Sequence, residues 1–250
     1  MKFDGILIFS LSLLGLIFFQ RVLQKEIQII LLLITRNPNL TIGIFSILLL
    51  PGVLIHELSH LFMAFILKVP VKKISLIPEV SKNGKIRLGF VQTLKTDVVR
   101  DALIGLAPLL SGLLLVALIS STHLGITQTI KEIYSGDNRP FLTMLKQIIQ
   151  VPDFGLWFYL SFAISTTMIP SESDRQSWKM ILVVIIGLFC LILIAGFGKW
   201  MAENLLPSLN QRLLSISFVM IGAILVHLLL LLPAWLIRKF LMVTKNVSVA

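Results

Sequence analysis

Residues 48–67 read LLLPGVLIHELSHLFMAFIL, and two histidines and a glutamate, His56-Glu57-Leu58-Ser59-His60, interrupt an otherwise apolar run. Ionisable side chains in a bilayer-crossing segment are costly and mark a partner or a function. Residues four apart on a helix lie one above the other on the same face. Both imidazoles can therefore reach one metal ion, with Glu57 beside them to take a proton from an attacking water. The plainer alternative is a trio of core residues hydrogen-bonded to neighbouring helices, and the intramembrane cost argues against it.

Composition puts this run in a membrane. Of the 250 residues, 56% are hydrophobic and 14% charged, and mean hydropathy is +0.95. Soluble domains carry roughly 25% charge. The apolar residues gather in runs, so the chain reads as polytopic. A formal net charge of +10 would suggest nucleic acid in a soluble protein. Here the basic residues sit between apolar runs, so anionic lipid headgroups account for them and no nucleic-acid partner is expected. One cysteine, Cys190, excludes an intramolecular disulfide framework and a Cys-rich metal cluster. The opening MKFDGILIFSLSLLGLIFF has a weak charged start and no A-x-A-like site, so it is expected to be a retained span.

A membrane span needs about 20 apolar residues. Six segments qualify: 5–22, 41–67, 102–121, 154–170, 178–197 and 213–237. The expected fold is all-α: one integral-membrane domain over 1–250 with about six transmembrane helices and a small β-hairpin insertion at 68–101. Within that insertion, two β-prone runs flank Asn83-Gly84, a strong hairpin turn signal. The segment EIQIILLLITRNP (26–38) is too short to span and is expected at the interface. The DFG at 153–155 lacks the glycine-rich and catalytic loops of a kinase and is a chance match. With six crossings, 14 Lys and Arg fall on the N-terminal side against 8 on the other. The excess predicts that both termini and the hairpin are cytoplasmic.

A catalytic zinc site normally has three protein ligands and one position left for water. His123, in SSTHLG, and His227, in GAILVHLLLLL, fit packing or interfacial roles. Asp174, in STTMIPSESDRQSW, is the better third ligand, because the second and fourth spans both run inward and deliver their polar residues to a similar depth. Glu172 is the fallback. The competing role is structural, since Ser171-Glu172-Ser173-Asp174 also matches a capping box that would start the fifth span. A peptidase of another lineage would need a downstream glutamate such as Glu203, which falls on the far side from the histidines.

Taken together, HELSH late in a span, the basic hairpin after it, LAPLLSG at 106–112, and a proline followed by an aspartate at the end of a later span resemble the site-2 protease family of intramembrane zinc metallopeptidases. The resemblance covers roughly residues 48–178. It implies a three-helix membrane core holding zinc through His56, His60 and Asp174, with Glu57 as general base and acid in peptide hydrolysis. The implied substrate is a membrane protein or peptide within the lipid bilayer. The pattern departs at the last element: Thr166 and Thr167 stand where an asparagine is expected, Pro170 leads to Asp174 by a shorter step, and Leu-Asp-Gly is absent. No PDZ domain fits in the chain. A non-hydrolytic relative that binds membrane segments or a metal is the alternative, and the presence of Glu57 weighs against it. The strand IRLGFVQTL could pair with an unwound substrate by strand addition, or the insertion could be a plain loop touching headgroups.

Overall fold

A computed structural model describes residues 4–80, 86–136, 143, 146 and 148–245. Its elements are α1 (Asp4–Thr35), α2 (Pro38–Leu48), α3 (Leu50–Ile66), β1 (Val71–Ser75), β2 (Glu79–Val80), β3 (Ile86–Arg87), β4 (Phe90–Thr93), α4 (Val98–Leu118), α5 (Ile126–Tyr134), α6 (Phe154–Thr167), α7 (Trp178–Ile194), α8 (Gly198–Asn204) and α9 (Leu206–Lys245). A wider turn, Ile119–His123, continues α4. The chain is thus mostly helical with a small β insertion.

Helices α1, α4 with its extension, and α9 are long and apolar enough to cross a membrane. Two bent pairs, α2–α3 at 72° and α7–α8 at 111°, raise the candidates to five. The expected fourth span is the 14-residue α6, which rises only about 21 Å against a hydrocarbon core of about 30 Å. Apolar side chains face outward from most helices, and α7 buries none of its residues. A helix apolar all round belongs in lipid.

The interface segment expected at 26–38 is not separate. Residues 4–35 form one uninterrupted helix that ends at Arg36, in the left-handed region (φ 51°). Asn37 then caps α2, its side chain accepting from Asn39 N and Leu40 N, with Pro38 in the first turn.

Helices α1 and α9 frame the molecule and run parallel. Gly5 N donates to Asn210 Oδ1 (2.9 Å), Ser12 Oγ lies 3.5 Å from Met220 Sδ, Arg238 Nε faces Glu26 Oε2 at 2.7 Å, and Lys245 Nζ donates to Leu33 O. The N-terminal end of α1 and the C-terminal end of α9 thus lie at opposite ends of the pair. Helix α6 follows the direction of α9, and α3 runs beside α6: Tyr159 Oη donates to Leu48 O, and His56 meets Thr167 O. The chain leaves α1 at the C-terminal end of this frame and leaves α3 there too, so the bent α2–α3 pair starts and finishes at the same end. The β insertion and the loop after α6 also sit at that end.

In the insertion, β1 pairs antiparallel with β4 (Ile74↔Val91, Ser75↔Phe90), with a bulge between Val71 and Lys73. Strand β2 pairs with β3 (Glu79↔Arg87). The Asn83-Gly84 turn lies outside the described residues, and the strands on either side of it pair as a hairpin would. The core, built on Leu16, Leu23, Phe45, Val53, Val116, Met168 and Met220, lies between the frame and α3, α4 and α6.

Candidate metal centre

His56 and His60 sit on one face of α3 with Nε2 atoms 3.2 Å apart. Asp174, from the loop after α6, places Oδ2 3.8 Å from His56 Nε2 and Oδ1 3.6 Å from His60 Nε2. All three ligand atoms fall within 4.8 Å of one another. Two glycines permit this convergence. A Cβ on Gly52 would run into Ala163 O, and one on Gly105 into Asp174 O, so α3 can close on α6 and the Asp174 loop can lie on α4.

The tautomers follow from the outer partners. His56 Nδ1 meets Thr167 O at 2.7 Å, and His60 Nδ1 meets Ile104 O at 2.8 Å. A carbonyl oxygen only accepts, so each Nδ1 carries a proton and Nε2 is the ring nitrogen turned toward Asp174. Two ring nitrogens and a carboxylate thus converge on one point. Metal-ligating histidines almost always donate their other ring N–H in this way. Ligands about 2.0 Å from a tetrahedral ion stand about 3.3 Å apart, close to the three separations seen here. The residues present fit a metal ion.

Proline explains why those carbonyls are available. The Ile104 carbonyl would normally accept from residue 108, but Pro108 has no N–H, and His60 takes its place. Pro170 likewise leaves Thr166 O without a helical donor, and Gln20 and Gln24 of α1 donate to it, the latter at 3.0 Å. Helix α6 has ended by Thr167, so Thr167 O is free for His56. Ser171 N, which would have continued the helix, donates to Asp174 Oδ2 at 2.7 Å, and Ser171 Oγ donates to the same oxygen at 2.6 Å. Burial pushes the Asp174 carboxyl up, but the two imidazoles and the Ser171 hydroxyl outweigh it and hold the group well below the ordinary carboxylate range.

Residues 171–174 make the reciprocal bonds of a capping box, Ser171 N donating to Asp174 Oδ2 and Asp174 N to Ser171 Oγ at 3.4 Å, but they cap a turn rather than the start of the next helix. Helix α7 begins at Trp178 with Ser177 at its N-cap and no side-chain cap. Glu172 turns away from the histidines into a groove shared with Ala102, Leu106 and Lys179. Asp174 is therefore brought to the histidines and Glu172 is not.

Glu57 is 6% exposed, and its Oε2 has no hydrogen-bond partner among the described residues. It borders the same cavity as the three ligands, about 850 Å³, which is also lined by β4, Thr167 and three glutamines of α1. A Cβ on Gly89 would come within 3.0 Å of Glu57 Cγ, so the hairpin lies directly over the carboxylate. His227 packs as expected, between Thr166 Oγ1 (3.1 Å) and Ala223 O (2.7 Å). His123 stacks on Trp157 at 3.6 Å. Neither they nor Glu203 line the cavity.

Gln20, Gln24, Pro108 and Ile104 were not singled out from sequence. The signals available were glutamines recurring at every fourth residue over 20–28 and a proline inside a span. No family model matches this chain, and neither a curated protein nor a solved structure does.

Proposed function

We propose that this protein is a zinc-dependent intramembrane endopeptidase that cuts membrane-spanning or membrane-proximal segments of other proteins. The observation that carries the proposal is the convergence of two imidazoles, each held through Nδ1, and one carboxylate beside a buried glutamate whose Oε2 has no hydrogen-bond partner among the described residues. Two nitrogens and one carboxylate oxygen with a position to spare are the donor set of a hydrolytic zinc site. The sequence resemblance to site-2 proteases points the same way.

His56, His60 and Asp174 would hold the zinc ion, which would supply Lewis acidity toward the scissile carbonyl and the attacking water. Glu57 does the proton work: it accepts the proton of the attacking water and passes it to the leaving amine. The Ile104 and Thr167 carbonyls keep the imidazoles oriented through turnover. Among the described residues β4 pairs with β1 alone, and its residues line the cavity, which suits strand addition by an unwound substrate.

The cavity opens at the C-terminal end of the frame, and that end is proposed to face the cytoplasm. Arg21, Lys25, Arg36, six Lys and Arg within 68–101, Arg175, Lys179, Arg238, Lys239 and Lys245 lie toward it. Lys131, Lys146, Lys199 and Arg212 are the described basic residues at the other end. This asymmetry is steeper than the 14-to-8 split of a six-crossing arrangement, and it makes the N-terminus external.

The test is cleavage of a single-span model substrate by purified protein. Glu57→Gln keeps shape and removes the base, so it should keep metal and lose about 10²–10⁴ in rate. Wild-type cleavage by that variant would remove Glu57 from the mechanism. Metal binding with no cleavage by the wild type would favour a non-hydrolytic metal-binding protein.

A further inference from the structure

Three glutamines, Gln20, Gln24 and Gln28, recur at every fourth residue of α1 and all line the cavity that holds the metal triad. Structure explains only part of their chemistry. Gln20 and Gln24 both donate to Thr166 O, although one donor would satisfy that carbonyl. Gln20 is 8% exposed, and its Oε1 has no hydrogen-bond partner among the described residues. Gln28 makes no hydrogen bond with any described residue. A side-chain amide offers two donors and an acceptor, and a buried acceptor left unmade is costly. Three such groups along α1, all bordering one cavity, call for a ligand rich in both donors and acceptors.

Their spacing identifies that ligand. Four residues of α-helix rise about 6 Å, and two residues of extended chain rise about 6.6–6.8 Å. Successive glutamines therefore keep step with every second peptide group of an extended polypeptide, and on one edge of a strand every second residue presents its N–H and C=O together.

We infer that Gln20, Gln24 and Gln28 form a ladder that binds the main chain of an extended substrate segment, standing in for a second β-strand beside the metal centre. This rests on the endopeptidase reading for its substrate and adds how the unwound segment is held. A helix dropped into the cavity would present no free peptide groups to the ladder, whereas an extended segment presents one to each amide. Recognition through main chain also makes binding tolerant of the substrate's side chains.

The experiment uses full-length protein in detergent and a synthetic single-span substrate, made with or without one backbone amide near the scissile bond replaced by an ester. Gln28→Leu, the least constrained change, and Gln24→Leu should each raise KM about three- to tenfold, as loss of one hydrogen bond does. The kcat should stay within twofold, because uniform binding is what is lost, and metal content should be that of wild type. At one ester position the ester should weaken wild type by a similar factor and cost Gln28→Leu no more. Unchanged KM in both variants, or strictly additive effects at every ester position, would overturn the ladder while leaving the peptidase intact. If the wild type cleaves nothing, binding of the same fluorescent substrate decides. Tighter binding by wild type than by the Gln24→Leu, Gln28→Leu double variant upholds the ladder without hydrolysis, and equal binding removes it.

Discussion

Pro108 in α4 and Pro233 in α9 are the same interruption in two long apolar helices, and their consequences differ. Each removes one backbone donor and frees the carbonyl four residues before it. At Pro108 the freed oxygen, Ile104 O, is taken by His60 Nδ1 at 2.8 Å. At Pro233 the corresponding residue is Leu229, which is 53% exposed and faces outward, and no side chain among the described residues donates to its carbonyl. The carbonyl freed by one proline holds an imidazole, and the carbonyl freed by the other holds no side chain among the described residues. What separates them is the neighbour: α4 lies against α3, with Ala64 and Ile104 in one small core, whereas Leu229 looks toward lipid. In a membrane a released carbonyl needs a donor from within the protein, and at the metal centre that donor fixes an imidazole.

The comparison can be broken from several directions. The largest effect should come from the imidazoles themselves: His60→Ala should reduce metal content to background by elemental analysis, with the helical circular dichroism of wild type. Pro108→Ala should come next. It restores an N–H at residue 108 that competes with His60 for Ile104 O, and loss of such an outer partner typically costs 10–100-fold in metal affinity. Pro233→Ala should leave metal affinity unchanged and raise thermal stability. Equal effects of the two proline variants on metal binding would mean that the Ile104 contact does not orient His60. Gly105→Ala pushes the Asp174 loop off α4 and should weaken metal binding less than removal of a ligand does. The smallest effect should belong to Ser171→Ala, which removes one of two donors to Asp174 Oδ2 and leaves the backbone N–H in place. A change of more than about tenfold in metal affinity would give Ser171 a larger part than one hydrogen bond.

The parallel frame yields a separate check. In a Cys190→Ser background, a membrane-impermeant thiol reagent applied to intact cells should label Asp4→Cys and spare Asn83→Cys. The reverse pattern would invert the arrangement proposed for the basic residues.

His56, Glu57 and His60 were legible because a helical spacing and an expensive location coincide in five residues. Asp174 was legible only as a need for a third donor. The local pattern around it spelled a helix cap, and the same Ser171–Asp174 bonds form there while the carboxylate also faces the histidines. The glutamines were hidden by a boundary drawn at residue 22, which split Gln20 from Gln24 and Gln28, although α1 continues to Thr35. The roles of Pro108 and Pro233 were not legible at all. A proline in sequence says that a carbonyl is freed and says nothing about which side chain lies close enough to take it.

The central claim is that His56, His60 and Asp174 together hold one zinc ion, and metal content of Asp174→Asn beside Glu172→Gln tests it most directly. A neutral amide is a poorer zinc ligand than a carboxylate but preserves the size of the side chain and its capacity to accept from Ser171. The account predicts about one zinc per chain in wild type and in Glu172→Gln, with most of it lost in Asp174→Asn. Full zinc in Asp174→Asn with loss in Glu172→Gln, or a wild type that holds no zinc, would contradict it.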